Sequence, residues 1–162
     1  MSGLRKLKNE VYTLLARDDG KSFPDEILGY NLKRVVNPLI SYIQSCDEHI
    51  RARAVVSLGQ VVATLADRDM ESARVVMRRL MWSLNDESGG IGWGAPESMG
   101  EIMAVHGGLA REFHRILISY VDSEGNYLEY EPLRQGAVKG LKRLFAAQPL
   151  IMAPYTHLLG TF

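Results

Sequence analysis

One cysteine, Cys46, stands in a chain of 162 residues, which excludes an internal disulfide and a cysteine-built zinc site of the usual kind. A reducing compartment is the simple expectation, and the protein reads as cytoplasmic. An excess of charge of either sign is also missing. Nineteen Lys and Arg residues balance nineteen Asp and Glu, so no global field would gather the protein onto nucleic acid or anionic lipid. No stretch reaches the run of about 18 apolar residues that a membrane-spanning helix needs. The opening, MSGLRKLKNEVYTLL, intersperses charges among its apolar positions and lacks the apolar core and cleavage site of a secretory signal. His49, His106, His114 and His157 have no HExxH or comparable spacing, so no metal site is expected. Neither a GxxxxGK[ST] phosphate loop nor a GxGxxG turn in a strand-to-helix setting is present, and no cofactor is expected.

What the chain does contain is the balance of an ordinary folded protein, 46% hydrophobic and 23% charged residues, and at this length folding buries ~70% of the unfolded surface. The apolar residues fall at helical spacing. Leu4, Leu7, Val11, Leu14 and Leu15 predict one amphipathic helix, ended by Asp18-Asp19-Gly20. Ser22 to Glu26 predicts a helix cap and a short turn. Leu32, Val35, Val36, Leu39, Ile40 and Ile43 then form a stripe that Pro38 should bend. After Asp47 a second helix carries Ile50, Ala54, Leu58, Val61 and Leu65. The same arrangement recurs, with Asp69 capping a helix over Met70–Leu84, a partner over Ala95–Val105, and a third pair over Gly108–Val121 and Leu133–Ala147. The expected organisation is all-α: a capping segment over 1–30, repeats over 31–67, 68–106 and 107–147, and a second cap over 148–162.

Overlaying the second helices places Ile50, Ala54, Leu58 and Val61 on Ile91, Ala95, Met99 and Ile102, an offset of 41 residues. A further 42 gives Leu133, Ala137, Leu141 and Leu144. Small residues stay over small ones and large over large, as in stacked repeats that bury their faces against their neighbours.

The stretch Asp47-Glu48-His49-Ile50-Arg51-Ala52-Arg53-Ala54-Val55-Val56-Ser57-Leu58-Gly59 resembles the signature of HEAT-like (armadillo-like) repeats, including the short variety first associated with bilin lyases. The resemblance covers roughly residues 31–147 and is strongest in the first repeat. The third repeat keeps the aliphatic-Arg pair as Leu133-Arg134 and has Lys142 for the glycine. The second keeps Met99-Gly100 and has Gly92 for the arginine, so its inter-repeat salt bridge should be missing. The resemblance implies a right-handed α-solenoid of about three helical hairpins with an N-terminal capping helix, acting as a scaffold for a protein or peptide partner. It carries no catalytic residue across. Some HEAT-like proteins are glycosylases for alkylated DNA bases and others are bilin lyases, so an enzyme acting on a nucleobase or small molecule is the alternative. Trp82 and Asp86 thinly resemble the aromatic-plus-carboxylate pair around a flipped base, against which stand the neutral charge and the lack of a basic track. The cluster Arg68, Arg74, Arg78 and Arg79 reads as a solvated face rather than a phosphate contact.

The second repeat is interrupted. Gly89, Gly90, Gly92 and Gly94 each disfavour helix by ~1 kcal/mol relative to alanine, so the partner helix should lose about its first turn, with Pro96 suited to the opening turn of the shortened helix. A notch is expected there, walled by Trp82 and Trp93 and edged by Asn85, Asp86, Glu87 and Glu97. The bland alternative makes Trp93 a plug and Trp82 a core residue. The repeat register adds a stripe: the positions of Val56 and Gln60 become Glu97 and Glu101, then Lys139 and Arg143. These residues either line a partner-binding groove or pair with one another on a solvated face. Finally, Pro149 to Tyr155 should cover the last hairpin, and a tail that failed to do so would favour a homo-oligomer through that end.

Overall fold

Ser2 accepts a hydrogen bond from the backbone N–H of Arg5 and opens the first of eight α-helices. The computed structural model describes residues 2–162, and among them there is no β-strand. The helices are α1 (Gly3–Ala16), α2 (Leu32–Tyr42), α3 (Glu48–Arg68), α4 (Met70–Ser83), α5 (Ala95–Val105), α6 (Gly107–Ser119), α7 (Glu131–Ala147) and the single turn α8 (Pro149–Met152). Asp69 caps α4 as expected, whereas the cap expected in Ser22–Glu26 is absent, since the short 3-10 turn Asp25–Gly29 follows Pro24 with no side-chain cap. Asn31, Asp47 and Asp69 each accept a backbone N–H of the following turn, satisfying donors that a helix start leaves without a partner. Asp69 also closes α3 through its own N–H to the Leu65 carbonyl, so one residue joins two helices. His106 does the same between α5 and α6, with its ring accepting from the Leu109 N–H. Pro38 lies inside α2 and the helix continues through it.

Helix α3 packs against α2 and α4, and α5 against α4 and α6, while α3, α5 and α7 lie side by side with α5 in the middle. The residue columns meet in the core: Ala54, Ala95 and Ala137 are buried, as are Leu58, Met99 and Leu141, and Val61, Ile102 and Leu144. Between α5 and α7 the backbones come close enough that a Cβ on Gly100 would overlap Gly140. Helix α1 packs on α2 and α3, tied there by Arg53, which is 4% exposed and donates to Asp19 and to the carbonyls of Leu14 and Lys21. At the other end Met152 is fully buried and Tyr155 meets the His114 ring edge-on. No helix among the described residues is long and apolar enough to cross a membrane.

Two local readings are corrected. The second helices of the first and third pairs start in register, at Glu48 and Glu131, whereas α5 starts at Ala95, six residues late by the same offsets. More than one turn is therefore lost. Gly92 and Gly94 take φ values of 76° and 78°, which an L side chain avoids, and a Cβ on Gly94 would overlap the Ile43 carbonyl. Ile91, aligned with buried Ile50 and Leu133, consequently lies outside the helix and is exposed.

The signature arginines also act otherwise than through salt bridges. Arg51 donates to the carbonyl of Ser45 at 2.9 Å, and Arg134 donates to that of Leu128 at 2.8 Å. Each reaches back six residues to hold the loop before its helix. Gly92 cannot do this, which leaves the loop before α5 without that anchor.

Candidate functional site

The shortened α5 leaves α3 and α7 facing each other where its first turns would lie. That gap is a cavity of about 440 Å³ lined by Gln44, Ser45, Cys46 and Arg51 on one side, Trp93, Gly94 and Glu97 behind, and Pro132, Leu133, Gln135, Gly136 and Lys139 of α7 on the other. On the opposite side of the Tyr130–Leu133 segment is a wider recess of about 970 Å³ between α4, α6 and their following loops. Trp82 borders this recess with Asn85, Asp86, Met81, Ile116, Tyr120, Tyr127 and Tyr130. The structure therefore gives the two tryptophans to different recesses, with Tyr130 packed edge-on against Trp93 at 5.6 Å between ring centres. Neither indole is a buried plug, since Trp82 is 53% and Trp93 36% exposed. Trp82 points off the last turn of a helix whose buried face is Ala73, Val76, Met77 and Leu80.

The charged stripe divides in the same manner. Glu101 and Arg143 close a bidentate pair, Nε to Oε2 at 3.0 Å and Nη2 to Oε1 at 3.4 Å. Glu101 is 9% exposed because its side chain lies flat over Gly59 of α3. One turn earlier, Glu97 and Lys139 are spaced identically in sequence and do not close. The Glu97 carboxyl rests on Gly136 of α7, where any Cβ would overlap it. Burial pushes its pKa above the ordinary Glu value, opposed by a hydrogen bond from its own backbone N–H and by the fields of Lys139 and Arg51. Glu87, also expected at the notch, is exposed on the short 3-10 turn Asp86–Ser88, and the Asn85 side chain caps that turn through the Glu87 N–H.

Sequence reasoning missed the lining that comes from neighbouring pairs: Cys46 and Arg51 for the narrow cavity, and Tyr120, Tyr127 and Tyr130 for the wide one. Tyr130 had a signal, because the offsets put it at the cap position occupied by Asp47, where it makes no side-chain cap. Tyr120 is buried enough to push its phenol up to about 12. The arginine cluster on α4 is engaged elsewhere: Arg74 grips Glu112 through two bonds, Arg78 binds Glu71 and Arg79 bonds Asn37. Among the described residues no group of His, Cys, Asp and Glu is placed to hold a metal ion. Compared with known proteins, the chain matches no family model, no curated protein and no solved structure.

Proposed function

We propose that this chain is a HEAT-like α-solenoid scaffold that binds a protein or peptide partner at its interrupted second repeat. The observation that carries the reading is the exposure of aromatic rings around that interruption. Trp82 and Tyr130 are 53% and 52% exposed on the rim of a 970 Å³ recess. Large aromatic side chains left in water at the end of one helix and the start of another are the kind that anchor partners. Tyr127, Met81 and Ile116 add apolar floor, and Asp86, Arg78 and Glu129 add a polar rim. An amphipathic or extended segment with aromatic or aliphatic anchors fits that chemistry.

A displayed peptide library selected on the purified chain tests the reading. Enriched sequences should share apolar anchors, shift the amide resonances of Trp82, Tyr127 and Tyr130, and bind at least about tenfold more weakly to the Trp82→Ala/Tyr130→Ala variant. The reading fails if nothing is enriched, or if the double variant, still folded, binds the selected peptides unchanged.

A further inference from the structure

The narrow cavity supports a second inference that does not rest on the partner groove. Its walls present one carboxylate, Glu97, two cations, Arg51 and Lys139, and one indole face, Trp93. The Glu101–Arg143 pair shows that the α5–α7 spacing allows a carboxylate and a cation at this offset to close directly. Glu97 and Lys139 share the offset and stay apart. Lys139 makes no hydrogen bond or ion pair among the described residues and acts on Glu97 through its field alone. Arg51 commits Nη1 to the Ser45 carbonyl. The cavity thus keeps an anionic and a cationic group facing the same space without neutralising each other.

The ligand chemistry follows from that charge arrangement. A simple anion drawn to Lys139 and Arg51 meets the Glu97 carboxylate, and a simple amine drawn to Glu97 meets two cations. A molecule carrying both charges a few bonds apart satisfies all three groups. The volume of about 440 Å³ suits a compact ligand, and Trp93, Pro132 and Leu133 offer it an apolar wall. Gly136 supports the design, since its missing side chain lets the Glu97 carboxyl sit against α7 rather than in the cavity mouth.

We propose that the cavity between α3, α5 and α7 is a binding site for a free α-amino acid, with the ammonium group on Glu97, the carboxylate on Lys139 and Arg51, and the side chain against Trp93.

Two residues make the site directly observable. Cys46 borders the cavity, is exposed, and is the one cysteine of the chain, so its alkylation by iodoacetamide reads as a single mass shift. In a Trp82→Phe background, Trp93 is the one tryptophan and reports by fluorescence. The probes are the twenty standard amino acids, each at millimolar concentration, with acetate and ethylammonium as carriers of one charge each. The expected result is that at least one amino acid shifts the Trp93 emission saturably and slows Cys46 alkylation severalfold, while acetate and ethylammonium, alone or together, do neither. Glu97→Gln and Lys139→Met should each weaken that binding about tenfold or more, with the thermal melt at pH 7 unchanged for Lys139→Met and higher for Glu97→Gln. The proposal is overturned if no amino acid changes either signal, if the single-charge probes bind as well, or if both variants bind as the parent does. Trp82→Ala should leave amino-acid binding intact, so failure at this cavity and failure at the partner groove are told apart.

Discussion

Glu97 and Glu101 stand one turn apart on α5 and face α7 at the same offset, yet their surroundings give them opposite energetics. Glu101 is covered and paired, so the cost of losing its partner depends on which partner is lost. Arg143→Ala leaves a covered carboxylate without its cation and should cost about 2 kcal/mol. Glu101→Gln leaves only a solvated guanidinium and should cost about 1 kcal/mol or less. Urea unfolding of the two variants measures the difference, and equal costs would mean that the pair is not what covers Glu101. At Glu97 the sign reverses. Its folded pKa is raised by burial, so its contribution favours the fold when protonated, below the ordinary Glu range, and is lost as pH rises through the folded value. Glu97→Gln should therefore raise the melting temperature at pH 7 and give no gain near pH 4. The register of the stripe was legible from residue spacing. Which pair closes was not, because that turns on Gly59 and Gly136 in neighbouring helices.

Among the elements, α5 departs furthest from the register shared by α3 and α7, and the backbone that glycine adopts at Gly92 and Gly94 accompanies its loss of six residues. Gly94→Ala meets both a φ of 78° and the Ile43 carbonyl. About 3 kcal/mol or more of destabilisation is expected in urea unfolding, and a cost under about 1 kcal/mol would show that the loop relaxes freely. Four glycines in the sequence predicted a shortened helix, and Ala95 was read as its start. That the shortening exceeds one turn, and leaves Ile91 in water, depends on Ile43 of the preceding pair, which no local pattern reports. The junction at Asp69 gives a pH test. Hydrogen bonds from Ser72 and Lys33 lower its pKa from 3.8 to about 2, so its contribution is present above the ordinary value and fades as pH falls through about 2. Asn at this position can still cap α4 but cannot pair with Lys33. The stability gap between parent and Asp69→Asn should be measurable at pH 7 and close by about pH 2, as followed by helix melting; a gap that persisted there would assign the effect to cap geometry.

For the whole molecule, one buried side chain, Arg53, adds the polar tie that fixes the end of α1 and its following loop to α3, beside the apolar packing of Val11, Leu14 and Leu15. Arg53→Met removes donors from Asp19 and from the Leu14 and Lys21 carbonyls and should destabilise the protein by about 2–4 kcal/mol. Amide exchange should rise first in α1 and its following loop, and uniform loosening of all helices would refute the idea that Arg53 is the tie. The sequence by itself determined the helices, the cap at Asp69 and three of the four repeated columns, because 3.6-residue periodicity and side-chain-to-backbone capping are local effects that act wherever those residues stand. It also located the interruption, because glycine cost and positive φ are properties of single residues. Only the tertiary structure decided that the interruption borders one narrow cavity while Trp82 lines a separate recess, that Trp82 and Trp93 part company across Tyr130 and Leu133, and that Glu97 and Lys139 remain open while Glu101 and Arg143 close. Those outcomes depend on how far α3 and α7 stand from the end of a helix that is not there, a distance set by the packing of Gly100 on Gly140 and of Gly94 on Ile43 between segments remote in the chain.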